Sequence, residues 1–212
     1  MAYKVKEIFY TLQGEGANAG KPSVFCRFTG CNLWSGKEED RSTAQCRFCD
    51  TDFVGGRKYE TPSDVTLAIG KHWPESLFFS GTQCFVVFTG GEPMLQLDDR
   101  LIRDLHGFNM RIAVETNGTI AVPRDIDWIT VSPKANTKIV QKCGDELKIV
   151  YPQDGMDPKR WEKSDFKHFF ISPKWSIDKD TSKKSLEDAI KFCLENPRWR
   201  LSVQTHKYIG MP

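Results

Sequence analysis

The sequence lacks the features that would place it in a membrane or on a nucleic acid. No apolar run approaches the roughly 20 residues of a membrane-spanning helix, and residues 1–6 lack the apolar core of a signal peptide. The 30 basic side chains are balanced by 28 acidic ones, for a net charge of +2. Nucleic-acid binding requires a clustered basic surface. We therefore expect a cytoplasmic protein with no membrane or nucleic-acid partner, although a small anionic ligand remains compatible with this charge.

The sequence shows neither the cysteine pattern of a disulfide framework nor an internal repeat. The chain has seven cysteines, an odd number, and the reducing cytosol disfavours disulfides. Metal binding is therefore the better prediction for these thiols. The chain has 212 residues, which is enough for one domain with a full core. We expect a single domain over residues 1–212, with a polar loop insertion at about 32–45.

Short apolar runs alternate with amphipathic stretches along the chain. The predicted strands are Val5–Tyr10, Val24–Phe28, Phe85–Phe88, Arg111–Glu115, Trp128–Val131, Leu147–Val150, His168–Ile171 and Leu201–Val203. The predicted helices span about residues 61–72, 95–105 and 181–194. Strands alternating with helices indicate a parallel sheet with right-handed crossovers. Seven or eight strands with about four helices are too few for a complete eightfold barrel, so we predict an α/β fold with a partial, open parallel β/α barrel.

Three cysteines are spaced as candidate metal ligands. Cys31, Cys46 and Cys49 form the pattern C-x14-C-x2-C. Three thiolates leave one coordination position free, so one iron of a cubane cluster would be open to an outside ligand. A structural zinc site completed by Cys26 is the competing interpretation. The cysteine pattern alone does not separate the two.

A second motif, Thr89-Gly90-Gly91-Glu92-Pro93, follows an apolar strand and opens a helix. Because glycine has no Cβ, a ligand can approach its backbone closely. Backbone groups and the Glu92 carboxylate together suit the amino group of an amino acid. A plain strand-to-helix turn is the alternative, but it requires neither two glycines nor an acid. The motif therefore favours an iron–sulfur cluster over structural zinc.

Further segments occur in a characteristic order along nearly the whole chain. They are residues 11–16 (TLQGEG), 28–33 (FTGCNL), 49–51 (CDT), 89–93 (TGGEP), 115–118 (ETNG), 132–134 (SPK) and 204–208 (QTHKY). Together they resemble the radical S-adenosylmethionine superfamily and, within it, the 7-carboxy-7-deazaguanine synthase family of the queuosine pathway. One departure is the gap of fourteen residues after the first cysteine, where the superfamily usually has three. Closing the longer loop costs only about 1.4 kcal/mol more, so the resemblance holds.

The resemblance implies a chemistry and a set of site residues. It implies a [4Fe–4S] cluster on the three cysteines that cleaves S-adenosylmethionine to a 5′-deoxyadenosyl radical. The radical takes a hydrogen atom from 6-carboxy-5,6,7,8-tetrahydropterin, and ring contraction with loss of ammonia gives 7-carboxy-7-deazaguanine. The implied cofactor contacts are Phe48, Gly91, Glu92, Ser132, Pro133 and Lys134. The implied substrate contacts are Leu12, Gln13, Gly14, Glu15, Arg27, Gly90, His206 and the terminal residue Pro212.

The resemblance further implies a magnesium ion and protein partners. Mg²⁺ prefers oxygen ligands, and Thr51 is the matching residue, with Asp50 or Asp52 as a neighbour that helps. The expected partners are a flavodoxin or ferredoxin as electron donor and a second copy of the chain in a homodimer.

Two other functions remain as alternatives. The chain could be another radical S-adenosylmethionine enzyme, such as a glycyl-radical activase, or a zinc-stabilised binding module without catalytic activity. Simpler roles also exist for single residues: Phe48 as a core aromatic, Arg27 as a surface charge, Thr51 as a helix cap and His206 as a surface histidine.

Overall fold

The computed structural model describes residues 2–211, whose strands form one nine-stranded sheet in the order β3-β1-β2-β4-β5-β6-β7-β8-β9. The strands are β1 (Tyr3–Leu12), β2 (Pro22–Phe28), β3 (Arg57–Tyr59), β4 (Cys84–Gly90), β5 (Met110–Thr116), β6 (Trp128–Val131), β7 (Cys143–Tyr151), β8 (Asp165–Pro173) and β9 (Arg200–Leu201). Neighbours from β2 to β9 are parallel, whereas β1 is antiparallel to β2 and to β3. Because β3 and β9 lie at opposite edges, the barrel is open.

Five α-helices occur in the described part of the chain. They are α1 (Pro62–Gly70), α2 (Glu75–Phe79), α3 (Asp99–Gly107), α4 (Lys179–Glu195) and α5 (Thr205–Ile209). The longer ones begin at side-chain caps. Thr61 and Asp64 form a capping box at α1, with Pro62 in the first turn. Asp98 accepts two backbone N–H bonds at α3. None of the helices is long and apolar enough to span a membrane.

The outer face of the sheet is covered by helices. On β2, Val24, Cys26 and Phe28 point outward into an apolar cluster that includes side chains of α1 and α3. A second cluster joins β7 and β8 to Ala189 of α4. Full burial of a large apolar side chain contributes about 1.5–3 kcal/mol, so these two clusters account for much of the stability of the barrel wall.

The inner face is apolar toward the amino ends of the strands and polar toward their carboxyl ends. A small cluster closes the apolar end, formed by Phe85, Val87 and Ala113 with Phe25 and Trp128. Farther along the same strands the inner face carries Thr89 on β4 and Glu115 on β5. Lys148 of β7 is a further buried polar residue. This gradient leaves a polar cleft at the carboxyl ends, where parallel α/β folds bind ligands.

The structure confirms seven of the eight predicted strands, and the eighth overlaps the observed β9 only at Leu201. The structure adds β3, which the sequence did not reveal because two of its three residues are charged and it has no apolar pattern. The predicted helix at 95–105 is wrong at its start, because Pro93–Leu95 forms a separate 3-10 turn and Asp98 caps the helix proper. The sheet is also not wholly parallel, since β1 and β3 run against their neighbours. The last predicted strand is shorter than expected and ends at Leu201.

Candidate active site

Two adjoining cavities occupy the carboxyl ends of the strands. The cluster cavity, of about 210 Å³, contains the three motif cysteines. The barrel cavity, of about 330 Å³, lies over the inner face of β1, β2 and β5. The two share six lining residues, which are Glu15, Asp50, Thr51, Thr89, Glu115 and Gln204. A reactive group formed in one cavity could therefore reach a molecule bound in the other.

Cys31, Cys46 and Cys49 all line the cluster cavity. Burial raises the pKa of Cys31 and of Cys46, and the negative charge of Cys49 adds to the effect at both. Backbone N–H groups act in the opposite direction, among them Leu33 N, which donates to Cys31 Sγ at 3.4 Å. Hydrogen bonds of this kind stabilise thiolates and tune iron–sulfur clusters. The three thiols therefore suit a multi-iron centre.

The zinc alternative loses its fourth ligand in the structure. Cys26 is fully buried on the outer face of β2, inside the apolar cluster, so it cannot join the cysteines of the cluster cavity. Among residues 2–211, no three His, Cys, Asp or Glu side chains are arranged to hold a single metal ion. In a cubane each cysteine binds a different iron, so its thiols need not converge on one point.

Gly90 and Gly91 are required by the neighbouring backbone. Gly90 has φ +140°. A Cβ on Gly91 would lie 2.1 Å from the carbonyl oxygen of Gly30 and 2.8 Å from Cys31 Cβ. The two glycines thus let the segment that carries Cys31 pack against the end of β4. Both glycines also line the cluster cavity. The close approach of a ligand to their backbone stays a prediction.

The Glu92 carboxylate lies just after β4, in a buried hydrogen-bond network. Glu92 is fully buried and is not a lining residue of the cluster cavity. Its oxygens accept hydrogen bonds from Thr116 Oγ1 (2.7 Å), Asn117 N (2.8 Å) and Met94 N (3.0 Å). Burial raises its pKa despite these donors. In the structure the Glu92 side chain therefore holds the β4 and β5 ends together, and its contact with the methionyl amine stays a prediction.

The other predicted cofactor residues divide into two groups. Phe48, Ser132 and Lys134 line the cluster cavity, whereas Pro133 is buried beside it. Lys134 Nζ donates to Ser132 O at 2.7 Å and to Ser132 Oγ at 2.8 Å. Burial lowers the pKa of Lys134, and Cys46 and Cys49 oppose that effect. Lys134 thus lies close enough to two of the thiols to interact with them electrostatically.

A buried ion network lies between the two cavities. Lys148 Nζ is 2.5 Å from Glu15 Oε2 and 3.5 Å from Glu115 Oε1. Gln204 Nε2 donates to Glu15 Oε1, and Gln13 Nε2 donates to Glu115 Oε1, both at 3.1 Å. Burial alone would raise the pKa of Glu15, but Lys148 outweighs it and lowers that pKa. Burial would lower the pKa of Lys148, but the two carboxylates raise it. Both groups are therefore charged at neutral pH.

The remaining predicted substrate residues lie around the barrel cavity. Leu12, Gln13, Gly14, Arg27 and His206 all line it, while Gly90 lines the cluster cavity. Arg27 Nε donates to Glu7 Oε1 at 2.8 Å. Within residues 2–211 neither Nη group of Arg27 has a hydrogen-bond partner, so its outer edge can meet an anion.

His206 belongs to α5 and packs on Gly14, where a Cβ would lie 2.2 Å from the histidine Nδ1. Burial lowers the pKa of His206, and Glu15 partly offsets this, so the ring is neutral at pH 7. The simpler interpretation of a surface histidine is wrong, because the ring is partly buried in the cavity wall. The predicted contact by Pro212 lies outside the described residues.

Thr51 lines both cavities at their junction. It belongs to an irregular segment, so the alternative of a helix cap does not apply. Its two acidic neighbours are each paired with a lysine: Asp50 Oδ2 is 2.6 Å from Lys207 Nζ, and Asp52 Oδ2 is 2.6 Å from Lys6 Nζ. Asp50 and Asp52, the two carboxylates that were predicted to assist Thr51 in binding Mg²⁺, are therefore each paired with a lysine.

Sequence reasoning did not single out several residues of the cleft. Lys148 was missed because it lies in an apolar strand sequence, and Gln204 because it follows a short edge strand. Two further ones are Glu115 and Asn117, which occur in the ETNG segment noted above. The available signal was a lysine inside the otherwise apolar run LKIV, since a buried strand rarely contains a charge without a partner.

Comparisons with known proteins give a consistent result. No protein-family model matches the chain. The chain is 52% identical to the 7-carboxy-7-deazaguanine synthase of Caulobacter vibrioides, and the alignment covers all of both chains. It is also 52% identical to that of Burkholderia multivorans and 48% identical to that of Nitratidesulfovibrio vulgaris, again over both chains in full. The crystal structure of QueE from Escherichia coli matches with a TM-score of 0.67 and 26% identity, covering 97% of this chain and 95% of the other.

Proposed function

The chain belongs to the 7-carboxy-7-deazaguanine synthase family, and we propose that its cleft performs the reaction of that family. The protein is a radical S-adenosylmethionine lyase that converts 6-carboxy-5,6,7,8-tetrahydropterin to 7-carboxy-7-deazaguanine with loss of ammonia, in the queuosine pathway. The observation that carries this proposal is the continuity of the two cavities. Three cysteines line one, an ion network suited to a polar heterocycle borders the other, and six residues belong to both.

The residues of the cluster cavity fit a [4Fe–4S] cluster with S-adenosylmethionine. When bound, these groups supply the 5′-deoxyadenosyl radical that removes hydrogen from the substrate. Cys31, Cys46 and Cys49 would be the cluster ligands. The half-buried ring of Phe48 offers an apolar surface to the adenine, and the backbone at Gly91 faces the same space. Protein groups here act by placement and by excluding water.

Ser132 and Lys134 form the polar wall of the cluster cavity, opposite the glycines of the β4 end. The Lys134 ammonium would pair with the cofactor carboxylate, and the Ser132 hydroxyl with its ribose. Pro133, buried beside them, keeps the strand end in place. Glu92 would hold the methionyl amine together with the glycine backbone, and it also keeps Thr116 and Asn117 in place beside the cavity.

The barrel cavity would hold the pterin. The Glu15 and Glu115 carboxylates can accept hydrogen bonds from the N–H groups of the pterin ring, and the Gln13 amide contributes both a donor and an acceptor. Leu12 and Gly14 contribute wall and backbone groups. Lys148 pairs with both carboxylates and holds them in place, so it is a positioning residue. The Nη edge of Arg27 suits the substrate carboxylate, because a guanidinium binds a carboxylate through two parallel hydrogen bonds.

His206 and the terminal residue Pro212 would complete the substrate site. Neutral His206 can donate or accept one hydrogen bond at the wall of the barrel cavity. For Mg²⁺, the Thr51 hydroxyl would be the protein ligand, and oxygens of the substrate and water would supply the others. Asp50 or Asp52 could assist only by giving up a lysine partner. Removal of Mg²⁺ by EDTA, followed by titration with MgCl₂, tests whether the reaction requires the ion.

The cellular setting is proposed from the same family membership. We expect a single-domain chain in the cytoplasm, a flavodoxin or ferredoxin as one-electron donor, and a homodimer. Sedimentation velocity of the anaerobically purified protein would measure the oligomeric state, and reduction by purified flavodoxin would test the donor.

Anaerobic purification tests the proposed function directly. We expect a brown protein with about four irons and four sulfides per chain, and 7-carboxy-7-deazaguanine as the product from the pterin. Installation of a glycyl radical on a partner without this product would favour the activase alternative. A colourless protein with one zinc and no iron would favour the binding module.

The cysteine ligands are tested by Cys46→Ala. We expect the variant to lose cofactor cleavage entirely, because one iron loses its thiolate. Far-UV circular dichroism should remain close to wild type, since Cys46 lies outside the sheet. Cys193→Ala, a change of a half-buried cysteine on α4, is the matched control and should keep both iron and activity. Full cofactor cleavage by the Cys46 variant would contradict the assignment.

A further inference from the structure

The cluster-loop insertion, residues 32–45, folds back on its own start. Leu33 O accepts hydrogen bonds from Gln45 N (3.1 Å) and Cys46 N (3.3 Å). The N–H of Leu33 donates to Cys31 Sγ. One residue thus connects both ends of the fourteen-residue gap, so Cys31 and Cys46 are joined through backbone contacts as well as through the chain.

Arg41, near the far end of the insertion, reaches across to the Cys46–Cys49 turn. Its Nη1 donates to Arg47 O at 3.0 Å and to Cys49 O at 3.1 Å. Its Nε donates to the two carboxylate oxygens of Glu38 at 2.7 and 2.8 Å. The two carbonyls lie on either side of Phe48, so a single guanidinium fixes the turn that carries two of the three thiols.

The Arg41 side chain is itself held from the core side. Its guanidinium carbon lies 4.1 Å from the ring centroid of Trp34. Trp34 is buried, donates through Nε1 to Lys37 O at 3.1 Å and meets the buried ring of Phe53 edge-on at 5.6 Å. A chain of contacts therefore runs from the core, through Trp34 and Arg41, to the Cys49 carbonyl.

We propose that Arg41 is a positioning residue for the cluster, which holds the Cys46–Cys49 turn in the shape that the irons require. This inference rests on the proposed function. A three-residue gap limits the separation of the first two cysteines by chain length alone. A fourteen-residue gap does not, so the restraint must come from contacts of the insertion itself, which are the backbone bonds at Leu33 and the bonds of the Arg41 guanidinium. Pre-ordering the ligands in this way lowers the entropy lost on cluster binding. A lysine would keep the charge but lose the planar fork.

Cluster release tests this inference. Wild type, Arg41→Ala, Arg41→Lys and Lys37→Ala would be reconstituted anaerobically with ferrous iron and sulfide. Iron loss to a chelator would then be timed. Lys37 is the matched control, because its ion pair with Glu39 is exposed in the same insertion. We expect Arg41→Ala to release iron about 10- to 100-fold faster, as for other groups that orient metal ligands, Arg41→Lys to be intermediate, and Lys37→Ala to match wild type.

Two further measurements separate positioning from folding. Metal-free wild type and Arg41→Ala should melt at similar temperatures, and the reduced clusters should differ in their EPR spectra. Equal release rates for wild type and Arg41→Ala, or equal loss of stability in the metal-free and loaded variants, would overturn the inference. If Arg41→Ala does not fold, the test uses Arg41→Lys. An iron-release rate of Arg41→Lys equal to that of wild type would then overturn the inference. Absence of iron from wild type would instead refute the proposed function.

Discussion

Lys148 shows how one residue sets the chemistry of the cleft. Its ammonium lies between Glu15 and Glu115, and all three side chains are largely buried. A buried ion pair need not stabilise a protein relative to apolar residues, but removing one partner leaves an uncompensated charge. At the residue scale, therefore, the substrate-facing carboxylates depend on a lysine that need not touch the substrate.

We predict that Lys148→Met lowers the free energy of unfolding by about 3–5 kcal/mol, the usual cost of breaking a buried pair. It should also raise KM for the pterin, because Glu15 and Glu115 repel each other and lose their fixed positions. Urea unfolding and steady-state kinetics measure the two effects. In the control Lys167→Met, the ammonium that is lost is exposed, and Asp145 keeps its hydrogen bond from Ile129 N, so the change should stay below about 1 kcal/mol. Similar losses in both variants would contradict the network.

At the scale of elements, the connection between β4 and the following 3-10 turn matters most. Gly91 packs against the backbone of the segment that leads from β2 to Cys31. The glutamate that follows ties the same connection to the end of β5. The β4 motif thus joins three strand ends, and its role in the structure is to place Cys31 as much as to face a ligand.

Gly91→Ala should displace the first cluster cysteine, because its Cβ would lie 2.1 Å from Gly30 O and 2.8 Å from Cys31 Cβ. We expect a loss of about 1–3 kcal/mol in stability, typical of overpacking, and less iron per chain after reconstitution. Gly107→Ala at the end of α3 has no heavy atom within 4 Å of its Cβ. It should be neutral or stabilising by up to about 1 kcal/mol. Equal iron content in both variants would show that the Gly30 contact is not required.

At the scale of the whole molecule, the buried charges make stability depend on pH. The folded pKa of Glu15 lies below its ordinary value of 4.5. As pH falls, Glu15 is therefore protonated in the unfolded chain before it is protonated in the folded protein. The stability that Glu15 contributes is present above about pH 4.5 and is lost as pH falls below that value. Burial raises the pKa of Glu92 and Glu146, which acts with the opposite sign. The contribution of Glu15 to the pH dependence of stability is therefore measured by comparing wild type with a variant at this position.

We predict that the thermal midpoint of wild type falls more steeply between pH 5 and pH 3 than that of Glu15→Gln, whose amide does not titrate. Differential scanning calorimetry at several pH values measures the two slopes. Glu187→Gln, a change of an acid on α4, serves as the control for loss of one negative charge and should keep the wild-type slope. Parallel slopes for Glu15→Gln and wild type would contradict the lowered pKa.

Much of the fold could be predicted from local sequence patterns. Strand–helix alternation gave the barrel class, and Thr61 marked the start of α1 correctly. The Asp98 cap of α3 was missed, because the apolar spacing from Leu97 suggested an earlier start. Strand β3 was missed because it pairs through its backbone at the sheet edge, which leaves no apolar pattern. Helices α2 and α5 were missed because each has only five residues, too few to show a helical period.

By itself, the sequence determined the spacing of the three cysteines, the glycine–glutamate turn and the order of motifs along the chain. These properties depend on residues that lie near one another in the chain. The tertiary structure decided which of the cysteines face the cleft, since Cys26 points into the outer core. It also brought Lys148 to Glu15, 133 residues away, because the curvature of the open barrel brings the inner face of β7 close to the segment that follows β1. The cluster motif is therefore a property of the sequence, whereas the ion network beside it is a property of the barrel.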